Sequence, residues 1–422
     1  MRFPLLLLLL AAPLGAQQPL ALTLAGAEKL AVQNNPQFSA ARFNAAAAYQ
    51  VPLEYRSALL PTVTGAVTVV GADSGSRLAA GGLNNPVVYD RIASGLLVSQ
   101  LVSDFGRTSN LVASAKLRAQ AQDQVSETAR ASILIGTARA YFALLRAHAV
   151  LTVAQQTVTA RQLVADQVGT LADSKLKSGL DVSFANVNLA DARLLLSQAQ
   201  NRVQASEADL TAALALPSRT SFALQEEPLP GPLNGVDPLV QLALQARPEL
   251  KDLRLEQSAA QRFAKAEHAL FYPSIGVAGS TGVVPAGARQ IPGRYGAVGV
   301  NVNIPVFNGG LFRARQTEAE LKAKAAGENV NDLANRVTRD VRVAYLDAQT
   351  AFERVALTDQ LLTQAKLALD LARGRYDLGL SSIIELSQAQ LNLTSAQIAV
   401  ASARYDYQTQ RAILDFQTGT MR

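Results

Sequence analysis

The chain has 422 residues, 17% of them charged and 49% apolar, with a formal net charge of +6 that is not gathered into any basic block. That balance excludes a nucleic-acid footprint. With no cysteine, no tryptophan and two histidines, disulfides, thiolate metal sites and thiol catalysis are excluded, and no cofactor or metal centre is expected.

Residues 1–16 are expected to be a secretory signal. Arg2 is the charged start, Leu5–Leu10 the apolar run, and Leu14-Gly15-Ala16 the cleavage site before Gln17. No later stretch runs about 18 apolar residues without a charge, so no transmembrane helix is expected. From Leu22 to about Leu60 the pattern is helical. It breaks at Asn34-Asn35-Pro36, because the residue before a proline is pushed out of the helical region, and Pro61 ends it. Thr62–Val70 alternates β-branched residues and predicts a strand, placed over 62–73. A loop rich in Gly, Asn and Ser runs on to residue 86. A second strand over 87–103 is closed by Asp104-Phe105-Gly106.

Residues 87–216 and 306–422 contain no proline. Being neither polar nor poor in aliphatics, they predict long helices: Arg107–Lys177, a tip, then Val182–Leu216. At about 1.5 Å per residue the first is a rod of roughly 100 Å. That length implies a coiled coil or similar assembly. Residues 217–237, with Pro217, Pro228, Pro230, Pro232, Gly231 and Gly235, form a linker.

The plan then repeats. A helix opens at Asp237-Pro238, breaks at Arg247-Pro248 and ends at Phe271-Tyr272-Pro273. Strands follow over 274–284 and 294–306, around a loop over 285–293. A long helix runs to Asp377, and after a second tip another runs to residue 418. Pro36 pairs with Pro248, Pro61 with Pro273, Ala140-Tyr141 with Ala344-Tyr345, and Gly179-Leu180 with Gly379-Leu380. This is an internal duplication of a helix–strand–strand–helix–helix unit: signal 1–16, first repeat 17–216, linker 217–237, second repeat 238–422. Both tips carry a Gly-Leu pair, and glycine reverses the chain at little steric cost. Val341, Tyr345, Ala348, Phe352 and Val355 alternate steps of four and three, the period of a left-handed coiled coil.

Val298, Val300, Val302 and Ile304 alternate with Asn301 and Asn303, as lipid-facing and lumen-facing residues would. Tyr89, Phe105, Tyr272, Tyr295 and Phe307 sit near strand ends, where interfacial aromatics gather. Four strands are too few to close a membrane barrel, and an open sheet in lipid leaves its edge N–H and C=O groups unpaired. If these strands span a membrane, several chains share one barrel. A soluble sandwich sheet in a secreted protein stays open as the other reading.

With the duplicated plan, the Pro-Val-Phe-Asn-Gly-Gly at 305–310 and the tip Arg375-Tyr376-Asp377-Leu378-Gly379-Leu380 followed by Glu385, the mature sequence resembles the TolC-family outer-membrane efflux proteins. The resemblance implies a mainly α fold with a membrane β-barrel: a homotrimer with a twelve-stranded barrel in the outer membrane and an α-helical tunnel in the periplasm. It implies a periplasmic adaptor, an inner-membrane transporter and outer-membrane lipid as partners, no nucleic acid, and export of small molecules rather than catalysis. A protein-secretion duct and a secreted coiled-coil scaffold are the alternatives.

In that family the tips form the periplasmic entrance, where Glu385 would line the constriction. Gln388 stands where a second acidic ring often lies. Ser381 stands in place of a basic gating residue, and Phe184 and Ala185 in place of its polar and acidic partners. Tyr376 is retained. The entrance is therefore expected to be held by packing, or by Arg373, Arg375 and Asp377. Ser178, Gly179, Leu180, Gly379 and Leu380 would shape the tips and meet the adaptor. His148 and His268 are expected to be packed or surface residues, and Asp104-Phe105-Gly106 lacks the companion motifs of a kinase.

Overall fold

The computed structural model describes residues 20–77, 87–218, 220–233 and 235–421. The signal expected over residues 1–16 lies outside them, as does most of the loop before residue 87. Helix α1 (Leu24–Asn34) is capped by Thr23, whose Oγ1 accepts from the Gly26 N–H at 3.1 Å. It stops at Asn35, and Pro36 opens α2 (Pro36–Ala48), its fixed φ suiting a first helical position. A second break separates α3 (Val51–Ser57). Pro52 in its first turn cannot donate back to the preceding helix, so the expected single break is two.

The chain divides into two compact units, and both repeats contribute to each. One comprises residues 1–39, 129–247 and 337–422; the other comprises residues 40–128 and 248–336.

In the first unit, two short strands, β1 (Leu20–Leu22) and β4 (Phe222–Leu224), pair in parallel. They bind the start of the chain to the linker. Buried tyrosines hold the same segment: Tyr141 donates to the carbonyls of Leu22 (3.1 Å) and Gln225 (2.6 Å), and Tyr407 to that of Gly231 (2.7 Å). Tyr141 is fully buried among Ile133, Leu144, Leu210 and Leu214. The proline-rich linker, largely exposed, is thus tied down by helix side chains at the carbonyls of Gln225, Glu227 and Gly231.

Four long helices carry the rest: α4 (Arg107–Asp173), α5 (Gly179–Ala213), α8 (Leu311–Asp377) and α9 (Ile383–Gln417). From Val337 to its end, the inward-facing positions of α8 are Val337, Val341, Ala344, Ala348, Ala351, Val355, Thr358, Leu362, Ala365, Leu369, Ala372 and Tyr376. They alternate steps of four and three without a lapse, a coiled-coil seam. Tyr345 and Phe352 flank it, half-buried, and the alanines beside them hold the seam. Alanine there lets helix axes approach closely. Among the described residues, α4 alone is long and apolar enough by composition to cross a membrane, and half of its most apolar stretch is buried inside the protein, as in a core helix.

The second unit holds a four-stranded antiparallel sheet in the order β2 (Thr62–Val70), β3 (Arg91–Ser103), β5 (Ser274–Gly287), β6 (Arg294–Asn303). The strands differ from expectation at their ends. β3 starts at Arg91 rather than 87, β2 stops at Val70, and β6 stops at Asn303. β5 continues through Pro285, which falls where the β3–β5 register shifts between Ile92 and Ser94. A bulge is one of the few places a sheet tolerates proline.

Directly paired residues share a face. Val63, Leu96, Val98, Val277, Val298, Val300 and Val302 line one face through the observed registers. Thr62, Thr64, Ser99, Ser280, Ala278, Asn301 and Asn303 line the other. Ser94, Gln100, Thr281 and Arg294 on the first face and Val70, Leu97 and Leu101 on the second depart from this division. Tyr295 belongs to the polar face, against its expected interfacial place. Its hydroxyl lies where a Cβ on Gly95 or Gly282 would stand, so the two glycines make room for its ring.

Helix α6 (Val236–Ala246) belongs to the first unit and α7 (Pro248–His268) to the second. On α7, burial and then the fields of Glu256 and Glu249 push the Asp252 carboxyl from 3.8 to about 6. The folded chain thus holds that proton more tightly than the unfolded one, and stability falls as pH rises from about 4 to about 6. Asp252→Asn should raise the melting temperature at pH 7.5 and leave it unchanged at pH 4, as thermal melts at both pH values would show.

Candidate functional site

The two hairpin tips lie in the first unit and are built alike. α4 and α8 each span 67 residues, and α5 and α9 each span 35. The hairpins therefore correspond without a gap, and Lys175-Leu176, not Gly179-Leu180, is the counterpart of Gly379-Leu380. Both descending helices end in the same turn. Leu176 N–H bonds the Leu171 carbonyl, and Leu380 N–H the Arg375 carbonyl, each at 2.8 Å. Such a turn needs a left-handed residue. In the second tip it is Gly379 (φ 72°); in the first it is Lys175 (φ 63°).

Gly179 is instead the first residue of α5, so the turn role expected of it is wrong. The helix start is decided by Ser178. Its Oγ accepts from Asp181 N–H at 3.2 Å, while the Asp181 carboxylate accepts from Ser178 N–H at 2.9 Å. These bonds hold Asp181 below its usual pKa. The contrast is testable. Gly379→Ala should cost about 1–2 kcal/mol through the left-handed backbone, whereas Gly179→Ala, with nothing within 4 Å of a Cβ, should be neutral. Thermal melts of the two variants would separate them.

Ser382 holds the N-cap position of α9 as Ser178 does in α5, and Glu385 occupies the place of Asp181, but the Ser382 side chain makes no capping bond. No reciprocal cap forms in the second hairpin. Glu385 turns to Arg375 of the same hairpin at 3.5 Å, both side chains half-exposed. Gln388 is exposed one turn on and donates to Asn392 at 3.0 Å. Glu385 and Gln388 therefore share the solvent-facing side of α9, while Ile383 and Leu386 face inward.

Between the hairpins the link is mainly apolar. Val168, Ala185, Tyr376, Ile383 and Leu386 form a buried cluster, with Phe184 packed against it. Ala185 is thus a core residue with Phe184 packed partly buried beside it, and the Ser381 hydroxyl has no partner among the described residues. Farther from the tips Arg146 pairs with Asp406 at 2.9 Å; near them, among the described residues, two polar contacts join the hairpins. Asn188 donates to the Ser387 hydroxyl at 2.7 Å. Lys177 of the first tip places its Nζ 3.8 Å from the centre of the Tyr376 ring, a cation–π contact on a nearly buried ring. Sequence reasoning missed Lys177 because a lysine beside a turn looks like a solvated charge. The Tyr376 hydroxyl has no partner among the described residues, and burial, then Asp181 and Asp377, push its pKa up. Leu176, Leu180, Leu378, Leu380 and Ile384 stand exposed around the tips.

The outer membrane efflux protein profile matches residues 28–216 and 239–420, the stretches that carry the long helices, both tips and the four-stranded sheet. The chain belongs to the outer membrane efflux protein family. Membership makes it a channel of the outer membrane and sets aside the secreted scaffold. The chain is 24% identical to outer membrane protein TolC of Escherichia coli K12, over 92% of this chain and 80% of that protein. It is 25% identical to the alkaline protease secretion protein AprF of Pseudomonas aeruginosa, over 93% and 83%. In fold it is similar to the outer membrane protein VceC of Vibrio cholerae, with a TM-score of 0.79 at 20% identity, covering 94% of this chain and 96% of that one.

Proposed function

We propose that three copies of this efflux-family chain close a twelve-stranded barrel and a helical tunnel, forming a passive duct for small molecules. A periplasmic adaptor and an inner-membrane transporter would deliver the cargo and supply the energy. The observation that carries this is the open sheet. β2 and β6 are edges, and an edge in lipid is costly. Because β2–β3, β3–β5 and β5–β6 are all antiparallel, β6 of one copy meets β2 of the next antiparallel as well, so copies close a barrel without reversing a strand. The cysteine-free sequence makes a direct test. Single cysteines on β2 and β6 should oxidise to covalent trimers in isolated outer membranes; monomers alone would overturn the reading.

At the mouth, three Glu385 carboxylates around one axis would gather cations and repel anions. Gln388, being neutral, weakens that field. Glu385→Gln should lower the cation-to-anion permeability ratio in planar bilayers, and an unchanged ratio would remove Glu385 from selectivity. The exposed tip leucines are the surface we assign to the adaptor. Similarity to AprF keeps protein export as a second reading, separable by testing which inner-membrane partner restores function.

A further inference from the structure

The α4 seam towards the tip runs Ala147, Val150, Ala154, Thr157, Arg161, Val164, Val168, Leu171. Arginine interrupts a row of small and apolar residues, and the matching α8 position is Ala365. Arg161 is only 4% exposed. Its Nη1 is shut off from solvent and has no hydrogen-bond partner among the described residues. Asp191 on α5 is the charge whose field reaches it, but among the described residues it makes no ion pair with Arg161. A desolvated guanidinium without an acceptor is costly, because water's hydrogen bonds have been lost and not replaced.

Arg161 also lines a cavity of about 750 Å³ between α4, α8 and α9, within the range of small-molecule sites. Val164, Val168, Leu369, Leu386 and Leu393 provide apolar wall, and Tyr376 brings a second buried donor without a partner. Asp166, Asp377 and Arg373 also line it, so the remaining charges do not make it generally anion-attracting.

We propose that this cavity in the hairpin wall binds an amphipathic organic anion, with a carboxylate, sulfonate or phosphate head on the Arg161 guanidinium and a hydrocarbon body along the valine and leucine wall. The site goes beyond the export reading, since it lies along the α4 seam and not at Glu385. Arginine suits the task because its planar fork offers paired N–H donors to such a head.

The test uses the full-length assembled protein in nanodiscs, with 1-anilinonaphthalene-8-sulfonate as probe and N-phenyl-1-naphthylamine, the same body without its sulfonate, as control. Saturable sulfonate binding at one site per copy is expected above the lipid background, with the neutral control at least tenfold weaker. Arg161→Gln should weaken sulfonate binding at least tenfold without changing binding of the neutral control. Arg161→Lys should retain part of it. Leu393→Trp, which fills the cavity and leaves the arginine in place, should also abolish binding, and it keeps the test open if the Arg161 variants do not assemble. Absence of saturable binding by the unmodified protein overturns the proposal. So does a folded Arg161→Gln that binds like the parent, or one that changes only assembly or melting; the arginine would then be a register device of the coiled coil.

Discussion

Arginine in place of Val298 is expected to empty the outer membrane of this protein. Val298 lies mid-strand in β6, opposite Gly279, on the face that carries Val277, Val300 and Val302. If that face meets lipid, a guanidinium near the midplane costs about 2–4 kcal/mol, repeated in every copy of a closed barrel. Against a net stability of roughly 5–15 kcal/mol, insertion should fail. Asn301→Arg, three residues on but on the opposite face, should insert normally and alter conductance instead. Fractionation with heat-modifiability of the trimer would read both variants. Loss of the Asn301 variant with survival of the Val298 variant would mean the sheet faces the other way.

The second large effect is expected at the tips. A cation–π contact to a largely desolvated ring contributes about 1–2 kcal/mol, so losing the Lys177–Tyr376 contact should shift a closed-to-open equilibrium roughly tenfold per copy. Lys177→Met and Tyr376→Leu should therefore raise the open probability of single channels in planar bilayers. Tyr376→Phe should not, because the ring keeps its quadrupole and the lost hydroxyl had no partner in the structure. That pattern separates the contact from a hydrogen-bond lock. If the phenylalanine variant opens as readily as the leucine variant, the hydroxyl is the link and the cation–π account fails.

Periodic features were legible from residues alone because each repeats locally. The proline-free tracts, the seven-residue spacing of Val341, Ala348 and Val355, and the alternation from Val298 to Val302 all state a backbone geometry within a few residues. The duplication was legible for the same reason, since prolines at matching places break matching helices. Where a single residue type stood for a geometry, the reading slipped. Gly179 looked like the turn, but the capping bonds of Ser178 and Asp181 start α5 there and push the left-handed position back to Lys175. Ser382 and Glu385 have the spacing of the same reciprocal cap, yet Arg375 draws Glu385 away.

What only the tertiary structure decided are relations between residues far apart in the chain. β1 and β4 are three residues each, too short to show a pattern, and they become strands because Tyr141 and its neighbours hold those segments together. Lys177 and Arg161 look like solvated charges until other helices cover them. Local sequence thus determined the rods, the strands and their repetition, since hydrogen bonding and side-chain periodicity act over a few residues. Packing between rods determined which charges are buried, which are paired and where the tips turn, since burial depends on what the rest of the chain brings alongside.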